Sequence, residues 1–176
     1  MKNIEFDANL SFKSDVGWIT VFSRGHKVVR IEIIGSSNKG PCGNRVIPNL
    51  GKSKTLVDAK KKILDYLEGK TPSLDLDFEH HGTAFQEAVW NQVSKIKFGR
   101  TMTYSEIAEK IGNPGAARAV GTAVGSNSLP LLVPCHRVVA SGNKLTGYFA
   151  GEGIETQQQL IDLERAGKKA ADDSQI

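Results

Sequence analysis

The apolar pattern of this chain changes period partway along, and that change constrains what it can fold into. Trp18-Ile19-Thr20-Val21-Phe22 and Val28-Val29-Arg30-Ile31-Glu32-Ile33-Ile34 are rich in β-branched and aromatic residues. Arg24-Gly25-His26-Lys27 separates them, so the two runs predict a β-hairpin and an antiparallel sheet near the start of the chain. The Gly- and Pro-containing stretch 35–52 reads as a loop. Helical spacing takes over after it: Leu56, Ala59, Ile63, Leu64 and Leu67 share one face of a helix expected over 54–68, with Gly69 as its stop. A short alternating run, Leu74-Asp75-Leu76-Asp77-Phe78, reads as an edge strand leading to a domain boundary near His81.

The second unit opens on Thr83-Ala84-Phe85-Gln86, where Thr83 can cap backbone N–H groups and Gln86 can reach back. Phe85, Val89, Val93 and Ile96 follow at helical spacing. A second capping box, Thr103-Tyr104-Ser105-Glu106, opens a short helix through Lys110, which Gly112-Asn113-Pro114-Gly115 breaks. A third helix is expected over 116–124, and the two helices with their glycine-containing turn form a helix-turn-helix pattern. That third helix is built from small residues, among them Ala116, Ala117, Ala119, Gly121, Thr122 and Ala123. Small side chains permit close approach, either to a neighbouring helix or to the groove of a nucleic acid, and Arg118 adds a long cationic reach. The expected class is α/β, more closely α+β: a sheet-and-helix domain over 1–81, a mostly helical domain over 82–167, and a disordered tail over 168–176.

With 176 residues and 39% hydrophobic composition the chain can bury a sizeable core. No apolar run approaches the roughly 18 residues that span a bilayer, and Met1-Lys2-Asn3-Ile4-Glu5 lacks a signal peptide's hydrophobic segment. These features predict an intracellular protein without a membrane partner, nuclear in a eukaryote and cytoplasmic in a prokaryote. Two cysteines, Cys42 and Cys135, are too few for a disulfide framework and lack the spacing of a zinc site, so neither a metal nor another cofactor is expected. The net charge of +4 is unevenly placed. Residues 83–150 hold seven Lys/Arg (Lys95, Lys97, Arg100, Lys110, Arg118, Arg137, Lys144) against Glu87, Glu106 and Glu109. The remainder is balanced. A positive field on that segment suits a polyanionic partner, or is an ordinary basic surface.

Cys135 lies in the same segment, in Pro134-Cys135-His136-Arg137-Val138, between the apolar runs Leu129-Pro130-Leu131-Leu132-Val133 and Val138-Val139-Ala140. It is expected to be buried, and burial alone raises a thiol above about 8.5 and silences it. A reactive Cys135 therefore needs a base. His136 is adjacent, but neighbouring side chains of an extended segment point to opposite sides, which favours a bridging water over a direct hydrogen bond. The base needs an orienting acceptor in turn, and Glu164, on a helix expected over 156–166, is the candidate. Without those partners, Cys135 is a core thiol and Glu164 a solvated carboxylate.

The run 85–139 resembles the C-terminal domain of the O6-alkylguanine-DNA alkyltransferases, the methylated-DNA–protein-cysteine methyltransferases. Phe85 with Val89-Trp90, Thr103-Tyr104, Arg118-Ala119-Val120-Gly121, Asn127 and Pro-Cys-His-Arg-Val occur in the family's order and spacing, and Gly147-Tyr148 with Leu163-Glu164 extend the match. The resemblance implies a ribonuclease-H-like N-terminal domain and a monomeric protein. It implies minor-groove binding to duplex DNA containing O6-alkylguanine, flipping of the lesion, and irreversible single-turnover transfer of its alkyl group to Cys135, with O4-alkylthymine as a further substrate. His136 would deprotonate Cys135 through water, Glu164 would hold the imidazole, and Asn127 would brace the active-site turn. Tyr104 would lie near the flipped nucleotide, Arg118 would fill the gap in the stack, and Ala117, Ala119 and Thr122 would face the DNA. Tyr148, Pro130, Phe149, Val138 and Val124 would form the substrate pocket. The chain departs from the family pattern at Ser128, at Phe149-Ala150 beside the pocket mouth, and at Gly151-Glu152-Gly153, which lengthens the loop before the last helix. Two other functions compete: a lesion-binding alkyltransferase-like protein without repair activity, which would lack the acceptor cysteine, and a Cys-His-Glu hydrolase, which would need an oxyanion hole and water access.

Overall fold

The computed structural model describes residues 5–35 and 53–173 and has a mixed α/β architecture. The expected hairpin is present: β2 (Gly17–Arg24) and β3 (Lys27–Ile34) run antiparallel across a tight turn in which Gly25 has φ +59°. A preceding strand, β1 (Ala8–Ser14), completes a three-stranded sheet in the order β1-β2-β3. Its sequence, Ala-Asn-Leu-Ser-Phe-Lys-Ser, carries too few β-branched residues to announce a strand, and its pairing with β2 supplies what propensity does not.

Helix α1 (Lys54–Leu67) packs on this sheet through Leu56, Ala59, Ile63, Tyr66 and Leu67 and stops at Gly69, whose φ of +73° suits glycine. Leu64, expected on the buried face, is only partly buried, and Tyr66 takes the inner position. The loop expected over 35–52 lies almost wholly outside the described residues, as does Cys42.

The edge strand expected at 74–78 is reduced to a single bridge between Phe78 and Val28. Its alternation instead reflects docking: Leu74, Leu76 and Phe78 pack against the core, while Lys62 of α1 donates to the carbonyl of Asp75. The outer edge of β3 is then used by the rest of the chain. Val28 N–H donates to Asp77 at 2.8 Å, Ile31 N–H to Ser128 at 2.9 Å, and Gly151 N–H donates to Ile33 at 2.9 Å. An exposed strand edge is covered in this way, and residues far apart in sequence are drawn onto it.

Both capping boxes form. Thr83 and Gln86 close the N-terminus of α2 (Ala84–Val93), and Thr103 and Glu106 close that of α3 (Tyr104–Lys110). After a turn containing Gly112, α4 (Ala117–Gly125) buries Val120, Ala123 and Val124. Trp90 of α2 pins α4 by donating from Nε1 to the Ala123 carbonyl at 2.8 Å, and Gly121 lets the Tyr104 ring approach its backbone. A two-residue parallel pair, β4 (Met102–Thr103) with β5 (Val138–Val139), ties the start of α3 to the Cys135 segment. The last helix, α5 (Ile154–Asp173), is longer than expected and replaces most of the predicted disordered tail. Lys168-Lys169-Ala170-Ala171 are good helix formers that extend a helix already nucleated by packing. Buried apolar residues on both sides of residue 81 form one cluster.

Thr83→Ala removes the hydroxyl that accepts the Gln86 N–H while keeping the backbone N–H that Gln86 accepts; it is expected to lower unfolding stability by about 1 kcal/mol, measured by urea titration with an unchanged slope.

Candidate active site

The segment after α4 is a tight turn held by one side chain. Asn127 donates from Nδ2 to the Val133 carbonyl at 2.8 Å and accepts the Leu129 N–H at 3.0 Å. Between these anchors Leu131 takes φ +75°, a conformation that costs a non-glycine residue of order 1 kcal/mol and is sustained by the surrounding bonds. Pro134 then leads into a 3-10 turn, Cys135–Arg137, closed by Arg137 N–H donating to the Pro134 carbonyl at 3.0 Å. This corrects the expectation of an extended segment. Pairing as a strand begins only at Val138, so Cys135 and His136 are not set on opposite faces by a β-pleat.

The thiol is buried, with 8% of the Cys135 surface exposed. Burial pushes its pKa up to about 11, against the opposing effects of the Asn127 amide and of backbone N–H groups. At neutral pH the group rests as a thiol. His136 is fully buried and Glu164 is 1% exposed. His136 Nε2 lies 2.6 Å from Glu164 Oε1. Burial lowers the histidine's pKa more than the carboxylate raises it, so the imidazole is neutral and donates through Nε2–H. Among the described residues its Nδ1 has no hydrogen-bond partner. The ring therefore keeps an unprotonated nitrogen for a proton.

Glu164 gathers more donors than the sequence suggested. Arg137 Nε reaches both carboxylate oxygens at 3.0 Å, Gly99 N–H donates to Oε2 at 2.8 Å, and the Tyr66 hydroxyl donates to Oε1. Burial opposes ionisation of this carboxyl, but the hydrogen bond from His136, the charge of Arg137 and the Tyr66 hydroxyl prevail and bring its pKa to about 2. Arg137 also donates from Nη1 to the Ile96 carbonyl at 2.5 Å and lies over the Phe98 ring. Its charge, counted above toward a basic surface, is neutralised internally. Gln157 of α5 donates from Nε2 to the carbonyls of His136 at 3.2 Å and Val138 at 2.9 Å, fixing the turn from the far side. Sequence reasoning missed Arg137, Tyr66, Gly99 and Gln157 as parts of this network; the one available signal was Arg137, a cation inside an apolar run.

Beside the thiol lies a pocket of about 310 Å³. Val124, Pro130, Tyr148 and Phe149 line it together with Cys135 and Asn127, and Val138 does not. Val138 is buried where β5 pairs with β4 and Gln157 holds its carbonyl. The opposite wall comes from Ile31, Glu32, Ile33 and Ile34 of β3, which no sequence pattern pointed to. Phe149 is 80% exposed at the mouth, close to Gly125 at the end of α4. Tyr104 is half-buried, with its hydroxyl donating to the Thr146 carbonyl at 3.0 Å. Arg118, Ala119 and Thr122 lie exposed on α4 and Ala117 is half-buried, so the outer face of that helix offers a cation among short side chains.

Glu164 has its pKa displaced from the ordinary 4.5 to about 2, so its ionisation stabilises the fold above pH 4.5, and that contribution is lost as pH falls toward 2. Glu164→Gln leaves the Arg137 charge buried without its counter-ion and is expected to cost about 3–5 kcal/mol at pH 7 while flattening the acid limb, read by urea unfolding at several pH values.

The chain is similar to known proteins along most of its length. The family profile described as 6-O-methylguanine DNA methyltransferase, DNA binding domain, matches residues 84–166. The methylated-DNA–protein-cysteine methyltransferase of Mycobacterium tuberculosis is 36% identical over 153 residues, covering 87% of this chain and 89% of that protein. The inducible enzyme of that name from Bacillus subtilis is 44% identical over 111 residues, covering 63% of this chain and 61% of the relative. In structure, Mycobacterium tuberculosis OGT in complex with DNA superposes with a TM-score of 0.76 at 32% identity, over 90% of this chain and 93% of that one. With the buried Cys-His-Glu constellation set in a fold shared along most of its length, this chain belongs to the methylated-DNA–protein-cysteine methyltransferase family.

Proposed function

We propose that this protein repairs DNA by taking the O6-alkyl group of O6-alkylguanine onto Cys135, once per molecule. The observation that carries this reading is His136, which meets Glu164 through Nε2 and has no partner at Nδ1 among the described residues, next to a buried thiol that opens on a pocket. Nδ1 accepts the thiol proton, through a water molecule, and Glu164 stabilises the imidazolium that results. The thiolate's electron pair forms an S–C bond to the alkyl carbon while the C–O6 bond breaks. The electrons of that bond pass to the guanine, which takes a proton and leaves as the restored base. The thioether product has no leaving group that water displaces readily, so the protein is consumed.

A base inside a duplex is out of reach of a buried thiol, so it must leave the stack at a cost of a few kcal/mol. In this reading residues 1–81 form a ribonuclease-H-like domain and 82–167 an alkyltransferase domain. The α3–α4 pair is a helix-turn-helix whose α4 lies in the minor groove. Ala117, Ala119 and Thr122 keep that helix slim, Arg118 fills the space left by the flipped nucleotide, and Tyr104 sits beside its phosphate or donates toward the leaving guanine. Asn127 holds the turn that presents Cys135, and Tyr148 and Pro130 wall the base. O4-alkylthymine would enter the same pocket. Neither a metal nor a cofactor is needed for the displacement. The bacterial and archaeal sources of related proteins favour the cytoplasm as the setting.

Incubation with a duplex containing O6-methylguanine should add one methyl group, about 14 Da, to the Cys135 peptide, and Cys135→Ser should abolish it. Tight lesion binding without a mass change would mean a binding protein instead, and repeated turnover with an unmodified thiol would mean a hydrolase. Phe149, exposed at the pocket mouth, hinders bulky groups in this reading. Phe149→Gly is expected to raise the rate with O6-benzylguanine about tenfold or more relative to O6-methylguanine, in single-turnover assays of both substrates.

A further inference from the structure

Tyr66 belongs to α1, in the half of the chain that supplies none of the chemical groups invoked above, yet its hydroxyl ends inside the site. The side chain is 1% exposed, and its ring packs edge-on against Phe98 at 6.0 Å between centroids. The hydroxyl donates to Glu164 Oε1, the oxygen that His136 Nε2 approaches at 2.6 Å, and stands 3.4 Å from that nitrogen. Tyr66 and His136 thus share one acceptor atom. The titratable and charged groups that face Tyr66 are Glu164 of α5, His136 and Arg137 from the 3-10 turn, and Tyr148 from the following loop. Burial, then the charge of Glu164 and the hydrogen bond to it, keep the phenol from ionising, so it is a permanent donor.

A further strong donor on Oε1, beside His136 and Arg137, draws negative charge away from the oxygen that must stabilise protonated His136. We propose that Tyr66 is a positioning residue through which the N-terminal half sets the base strength of His136, keeping the imidazole neutral and able to accept the Cys135 proton. The ring packing fixes the hydroxyl, the hydroxyl orients and partly neutralises the carboxylate, and the carboxylate sets the histidine. Removing the hydroxyl strengthens the Glu164–His136 couple, raises the histidine's affinity for its proton and confines the active, neutral form to higher pH. Tyr66 thereby gives the N-terminal half a part in the chemistry besides the pocket wall contributed by β3.

The inference rests on the alkyl-transfer reading, and two assays of the full chain separate its failure from a failure of that reading. Single-turnover methyl transfer from an O6-methylguanine duplex, followed from pH 5.5 to 9, reads the whole reaction. Alkylation of Cys135 by iodoacetamide over the same range, without DNA, reads thiol activation alone. In both, Tyr66→Phe is expected to move the acid limb upward by about one pH unit, the order that one charge-assisted hydrogen bond produces. Site-specific 3-fluorotyrosine at position 66 keeps the packing but is a stronger donor, and is expected to move the limb downward. A limb that stays in place for both variants, or a uniform loss of rate at every pH, would make Tyr66 a packing residue and overturn the proposal. If wild-type protein transfers no methyl group, the alkyl-transfer reading fails, while the iodoacetamide profiles still decide the role of Tyr66.

Discussion

The carboxylate of Glu164 is the constraint on which the rest of this site depends. It lies buried on α5 and collects four donor residues from three other places: Tyr66 on α1, Gly99 before β4, and His136 and Arg137 from the 3-10 turn. A buried charge is tolerated only when it is paired and its lone pairs are satisfied, and here each oxygen has at least two donors. The same network neutralises Arg137, which would otherwise be an isolated cation in the core. Polar groups that must satisfy one another in a low dielectric permit few alternative packings, so the carboxylate specifies how α1, α5 and the active-site turn meet.

Desolvation also sets the resting state of the thiol and of the imidazole beside it. Burial holds Cys135 protonated at rest, which shields the thiol from adventitious oxidation and alkylation. The His136 imidazole is neutral for the same reason, desolvation, and so can accept a proton. One physical effect sets both groups in their resting states. The turn that presents the thiol is strained at Leu131 and restrained by Asn127, so its geometry is imposed by hydrogen bonds rather than by local preference.

The two halves of the chain are less separate than their sequence signatures suggest. The outer edge of β3 receives Ser128 and Gly151 from the second half, which places Ile31 to Ile34 along the pocket wall opposite Val124 and Tyr148. A strand edge needs covering, and here the covering segments flank Cys135 on both sides in sequence.

Local rules sufficed for much of the framework. The hairpin, the two capping boxes, the Gly69 stop and the short helices around Gly112 each follow from a few adjacent residues, because caps, turns and periodicity are short-range effects. The cysteine, its histidine and the candidate carboxylate were also legible, since an acid-base chain needs those residue types. Only the tertiary structure decided what surrounds them. β1 exists through its pairing with β2, 74–78 is not a strand because its leucines dock and Lys62 takes the Asp75 carbonyl, and α5 continues to Asp173 because packing nucleates it. Tyr66, Gly99 and Gln157 carry no motif, and lie up to 98 residues from the groups they bind. Hydrogen bonding to Glu164 depends on distance and desolvation, which the folded chain sets and its order of residues does not.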